Sequence, residues 1–146
     1  MQGGRLPVIA AASVALLAAG AMAYRFALPA PAGIACKAPA AAFARLELLF
    51  GMGKKGGGEI SDREWQAFLD AEVTPRFPDG LTVLTGYGQW RNSAGAITKE
   101  NARVLLVWYK PGADVDARVE AIRTAYKTRF GQESVMRVDG VSCVSF

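Results

Sequence analysis

The chain contains no histidine. That removes the side chain most used for proton transfer near neutral pH, and with it the usual imidazole ligands for zinc, copper and iron. No Gly-Lys-Ser/Thr string occurs, which excludes a Walker loop, and no internal repeat is present. Strong charge of one sign is also missing. The net charge is +4 with a pI near 9.3, and the basic residues alternate with acids, as in Arg118-Val119-Glu120 and Arg63-Glu64. A nucleic-acid binder concentrates Lys and Arg on one face or helix, so no nucleic-acid partner is expected. Nothing in the composition implies a cofactor or a metal.

What is present suits one globular domain: 146 residues, 51% hydrophobic and 21% charged, well outside the range of disordered chains. The N-terminus carries an address. Met1 to Arg5 is short and basic, residues 6–23 are free of charge, and Ala21-Met22-Ala23 ends the run with small residues where a signal peptidase reads. Residues 1–23 are therefore expected to be a signal peptide, its removal leaving roughly 120 residues for a single core. Two alternatives stay open. The run could be retained as a membrane anchor, although it is at the short end of a span. Cleavage could instead fall before Cys36, within Gly33-Ile34-Ala35-Cys36, to leave a lipidated cysteine. The preferred Leu or Val is missing there. Membrane contact is expected only through such a segment. Residues 24–42, rich in Ala and Pro, read as a linker, and residues 43–146 as the domain.

Within that domain the hydrophobic periods alternate between two and 3.6. Residues 43–50 alternate as a first strand. Ser61-Asp-Arg-Glu64 is a capping box opening a helix with Trp65, Phe68 and Leu69 on one face, closed by Pro75 and Pro78. Residues 81–90 form a second strand, Asn92-Ser-Ala-Gly95 a hairpin turn, and Val104 to Tyr109 the centre of a third strand, apolar on both sides. Asp114 is expected to cap a second helix, with Val115, Val119, Ile122, Tyr126 and Phe130 as its buried stripe and Gly131 as its stop. Residues 134–146 make the fourth strand. The order β-α-β-β-α-β predicts an α+β, ferredoxin-like fold: a four-stranded antiparallel sheet with two helices on one face.

That topology sets strand 4 antiparallel beside strand 1, so the start of one meets the end of the other. The only two cysteines, Cys36 and Cys143, fall at that junction. In an oxidising compartment a disulfide between them is expected.

Two motifs invite a functional interpretation. Gly51-Met-Gly-Lys-Lys-Gly56 matches G-x-G-x-x-G, but a dinucleotide site needs its helix to begin at the glycines, and here the capping box lies five residues further on. It reads as a flexible loop. The same topology gathers Lys54, Lys55, Gln89, Trp90, Arg91, Lys99 and Glu100 at one end of the sheet. Trp90 and Arg91 would there hold a planar anion, and Glu100 among cations would act as an acceptor rather than a proton donor. The plainer alternative is a solvated hairpin in which Arg91 and Glu100 pair across the strands. Pro75 to Gly80 reads as a rigid turn with an Arg–Asp clasp.

Several strings together resemble a bacterial family. They are Leu49-Phe50-Gly51, Ser61-Asp62 with Trp65 and Phe68, Thr74-Pro-Arg-Phe-Pro-Asp-Gly80, Gly88-Gln-Trp-Arg91, Tyr126-Lys127, Gln132-Glu-Ser-Val135 and Cys143-Val-Ser-Phe146. The family is domain of unknown function 3574, resembled over residues 43–146. The resemblance implies a small exported domain and supplies no activity and no catalytic residues. The lysine-bearing glycine loop departs from it as a local elaboration. Two functions are therefore carried forward. One is a non-enzymatic module that binds a ligand or partner. The other is a metal-free enzyme of the ferredoxin-like, often dimeric kind, acting on a small organic substrate. A homodimer is within reach of either.

Overall fold

The computed structural model describes residues 34–146. The expected signal peptide and the first part of the Ala/Pro-rich segment lie outside the described residues. Strand β1 spans Ala41–Gly51, helix α1 Asp62–Phe68, β2 Thr82–Arg91, β3 Ile97–Tyr109, helix α2 Val115–Phe130 and β4 Met136–Val144. The sheet order is β2-β3-β1-β4 with every neighbour antiparallel. This is the α+β order expected from the sequence, with β1 between β3 and β4. β1 begins at Ala41, inside the stretch that reads as linker.

Local chemistry sets the ends of the elements. Alternation in β1 sends Leu46, Leu48 and Phe50 into the core. At α1 the capping box is complete: the Ser61 hydroxyl accepts the Glu64 N–H, and the Glu64 carboxylate accepts the Ser61 N–H. Leu69–Val73 prolongs α1 as a wide π turn, closed by Thr74 N–H on the Leu69 carbonyl at 2.9 Å. It keeps both Leu69 and Val73 buried before Pro75 ends the run. At α2 the expectation needs correction. Asp114 occupies the N-cap position, but its carboxylate bonds no helix amide; only its carbonyl is used, by Arg118 N–H at 3.2 Å. Gly131 does stop the helix, in a left-handed conformation (φ 66°).

The core lies between the helices and one sheet face. Val115, Val119, Ile122, Tyr126 and Phe130 are all buried, as are Trp65 and Phe68. The Tyr126 ring meets Phe50 at 4.6 Å and Phe68 at 5.0 Å, both edge-on, and each such pair adds about 0.5–1.5 kcal/mol beyond area burial. β3 is an inner strand but not a doubly buried one. Leu105 and Val107 are buried, Val104 and Leu106 half-buried, and Trp108 is exposed, because both helices pack on the same side.

Cys36 and Cys143 form a disulfide, with Cα atoms 5.5 Å apart. The pairing of Ala42 with Cys143 across β1 and β4 brings the chain entering β1 to the end of β4. Cys36 in this form has no thiol left to acylate. No helix among the described residues is long and apolar enough to cross a membrane.

Candidate functional site

The uncovered sheet face is hollowed at one end by its own sequence. Alternation along β2 and β3 directs Gly86, Gly88 and Trp90, and Thr98, Glu100 and Ala102, to that side. The register sets Gly88 opposite Glu100 and Gly86 opposite Ala102, while Gly51 of β1 lies on the other flank of Ala102. Three glycines around one alanine leave a floor almost without side chains.

Glu100 stands over this floor with both carboxylate oxygens engaged. One accepts the Trp90 indole N–H at 2.8 Å, the other the Gly53 N–H at 2.8 Å. A Cβ on Gly51 would lie 2.5 Å from one oxygen, and a Cβ on Gly53 would lie 2.9 Å from the other. Glycine at both positions is therefore a requirement of the carboxylate's placement. The two glycines are themselves anchored: the Gly53 carbonyl accepts from the Gln132 side chain, and the Gly51 carbonyl accepts the Tyr126 hydroxyl at 2.8 Å. Burial first, and the negative charge of Glu100 second, push the Tyr126 phenol well above the usual tyrosine range, which keeps it a donor.

Trp90, Glu100 and Gln132 form a ridge between two hollows. One, of about 240 Å³, is walled mainly by apolar groups, including Leu49, Phe50, Ala102 and Met136. The other, of about 380 Å³, is polar and takes in Lys54, Lys55, Thr98 and Glu133. A wider groove over α2 is shallow and joins alanines and threonines to Glu72, Arg76, Glu120 and Arg129, of which Glu72 and Arg76 pair with each other and Glu120 pairs with Arg123 and Arg137.

The residues singled out in the sequence divide accordingly. Lys54, Lys55, Trp90 and Glu100 border one hollow, and Gln89 borders the apolar one beside them. Arg91 joins neither. It follows Trp90 in the strand, so it points to the opposite side, and it donates to the Gly95 carbonyl at 3.0 Å. The anion-holding Trp90–Arg91 pair therefore does not form. Nor does an Arg91–Glu100 pair, since Arg91 lies opposite Ile97. Lys99 is exposed, one residue out of phase with Glu100. Lys54 is spent on Glu64 at 2.8 Å. That bond, with the Ser61 bonds behind it, holds Glu64 down at about 2. Glu100 is thus held by an indole and an amide rather than by cations.

The glycine loop has no helix at its glycines. Gly56, Gly57 and Gly58 take positive φ angles of 98°, 103° and 82° in a tight loop, and the Gly53 amide that a phosphate would want is occupied by Glu100. The Pro75–Gly80 turn has no Arg–Asp clasp either. Arg76 bonds the Glu72 carboxylate at 3.0 Å and its carbonyl at 2.6 Å. Gln132, Gly51, Gly53 and Gly88 join the site although sequence pattern alone does not single them out for it. The available signal was the alternate spacing Gly86-x-Gly88 inside a strand, where glycine marks close approach or an open face.

Fold and site together define a ferredoxin-like α+β domain with an apolar hollow on its uncovered sheet face, bordered by one positioned carboxylate. Residues 45–146 match the model of the family described as Protein of unknown function (DUF3574), and the chain belongs to that family. No curated protein matches it. Among solved structures it is similar to a phage SAM lyase in complex with S-methyl-5′-thioadenosine. The TM-score is 0.57 at 13% identity, covering 82% of this chain and 97% of that one. The same phage enzyme in its apo state aligns with a TM-score of 0.48 at 16% identity, covering 79% of this chain and 97% of that one. The likeness to the complexed form is one of fold.

Proposed function

We propose that this is an exported, non-enzymatic binding domain whose ligand is a small organic molecule seated in the apolar hollow with an N–H donor or cationic group on Glu100. The observation that carries this reading is the carboxylate itself. It is held by two donors above glycines that exist to admit it, and it borders an apolar hollow. A few placed polar groups in an apolar recess are the usual make-up of a small-molecule site. Each oxygen keeps acceptor capacity beyond its one intramolecular bond. Export is supported by the leader-like N-terminus and by the disulfide.

Mass spectrometry of small molecules copurifying with protein from the native envelope tests the reading. An amine- or amide-bearing organic compound that is retained by the wild type and lost from Glu100→Gln is the expected result. Equal retention by both overturns it. One observation favours a second reading, an enzyme working at the same hollow: the fold is shared with a SAM lyase. Incubation with SAM separates the two, since turnover that Glu100→Gln abolishes would replace the binding module with an enzyme. S-methyl-5′-thioadenosine serves as a binding probe for the hollow in either case.

A further inference from the structure

The opposite end of the sheet carries a second recess, unrelated to Glu100 and built on the Thr74–Gly80 string. It measures about 350 Å³, and its lining includes Phe77, Tyr109, Arg118, Lys110 and Phe146. The walls are aromatic: Phe77 and Tyr109 have ring centres 5.5 Å apart, and Phe43 and Phe146 meet edge-on at 6.2 Å. The charge on this recess is uneven. Arg76 is balanced by Glu72, whereas among the described residues Arg118 and Lys110 have no carboxylate partner. Asp79 is the one acidic side chain on the rim.

Arg118 is held in place but not satisfied. Its guanidinium lies 5.4 Å from the centre of the Phe77 ring, and its Nη1 donates to the Arg76 carbonyl at 2.9 Å. Its Nε is buried without any acceptor. A buried donor left unpaired carries an energetic cost, so this guanidinium is under-satisfied where it sits. Arg118 lines the recess, and its guanidinium is a charged donor suited to a carboxylate.

We propose that this recess is a second binding site, specific for a small aromatic carboxylate. The carboxylate would pair with the guanidinium of Arg118, with Lys110 adding charge, and the ring would lie among Phe77, Tyr109 and Phe146. The requirement is joint. An aliphatic acid lacks the ring, and a neutral aromatic amide lacks the charge.

Titration of the oxidised chain with benzoate, acetate and benzamide, followed by NMR at the Arg118 Nε–H and the Trp108 indole N–H, tests this. Saturable shifts are expected with benzoate at millimolar or lower concentration. Acetate and benzamide should bind at least about tenfold more weakly, the scale of one charge-assisted bond or one aromatic contact. Arg118→Met should lose about tenfold or more in benzoate affinity, and Arg118→Lys should recover only part of it because an ammonium keeps the charge but not the planar guanidinium. Should Arg118→Met fail to fold, Lys110→Met decides: it leaves the packing alone and should weaken benzoate but not benzamide. Equal binding of benzamide and benzoate, equal binding of acetate and benzoate, or the absence of saturation would each overturn the site.

Discussion

The two ends of this sheet treat a charged side chain in opposite ways. At one end Glu100 is surrounded by donors that the protein supplies itself, an indole and a backbone amide, with a tyrosine and a glutamine anchoring the glycines beneath it. At the other end Arg118 has one carbonyl, one aromatic ring and a buried Nε with nothing to give to. The first arrangement is preorganised: the geometry of the carboxylate exists before any ligand arrives, so a ligand need not spend binding energy creating it. The second has its ring walls in place but leaves its charge uncompensated. The difference teaches where specificity would reside. At the Glu100 end it lies in the shape of a floor made by glycines. At the Arg118 end it lies in charge joined to aromatic walls.

The largest expected effect breaks the Arg118 end. The disulfide closes across 107 positions of sequence and ties the entry of β1 to the end of β4, the strand ends that carry Phe43 and lead to Phe146. Replacing both cysteines by serine should cost roughly 4–5 kcal/mol in the chain-entropy account, read as a shift of the urea midpoint. The Glu100 end should keep its hydrogen-bonded Trp90 indole signal as long as the domain stays folded. A double variant as stable as the parent would mean that the bond constrains little.

A smaller effect breaks the other end alone. Gly51→Ala puts a methyl group 2.5 Å from a Glu100 oxygen, so the carboxylate must leave either the indole or the amide. A cost of about 1–3 kcal/mol is expected, from a charged acceptor losing a partner, together with a shift of the Trp90 indole N–H resonance. Gly86→Ala is the control: a Cβ there meets nothing within 4 Å, and it should not destabilise. If the two substitutions behave alike, the glycine floor is a strand preference rather than a seat for Glu100.

How much of this contrast was legible beforehand follows the range of the interactions. The α2 stripe from Val115 to Phe130, the Ser61 capping box and the meeting of Cys36 with Cys143 could be read because period, local spacing and strand order determine them. The seat of Glu100 could not, since its partners Gly53 and Trp90 lie 47 and 10 residues away and a hydrogen bond to a backbone amide leaves no mark in side-chain pattern. Trp90 and Arg91 adjoin in sequence but do not share a face, because neighbours in a strand point opposite ways. The missing Asp114 cap and the missing Arg76–Asp79 clasp are of a third kind: the residue types suit the role, and the backbone gave the bond to another group or to none.

The lysine side of the Glu100 end can be sharpened by pH. Glu64 titrates at about 2 instead of its ordinary 4.5, chiefly because of the Lys54 bond. Its folded pKa is depressed, so the stability it contributes is complete above about pH 4.5 and is lost as pH falls toward 2. Lys54→Met should therefore shrink the loss of stability across that acid window by lowering stability at neutral pH while leaving it nearly unchanged at about pH 2, and the effect should be small because the pair is half-exposed. An acid limb identical in both proteins would assign it to other carboxylates.

The smallest expected effect concerns Arg91, and it is informative because it is small. Arg91 adjoins Trp90 in sequence, which made it a natural member of the same site. In the fold it lies across the sheet from the hollow, exposed, with a single bond to the Gly95 carbonyl of its own hairpin. An exposed substitution away from packing and caps changes stability by no more than about 0.5 kcal/mol, so Arg91→Ala should leave the denaturation midpoint within that margin. It should also leave the Trp90 indole resonance in place, because the indole bonds Glu100 through the other face of the strand. Retention of the copurifying ligand should be unaffected, in contrast to Glu100→Gln. Loss of ligand from Arg91→Ala with normal stability would mean that the hairpin tip folds over the sheet edge when ligand binds. The site would then need both faces of β2, and the assignment of specificity to the glycine floor alone would fail.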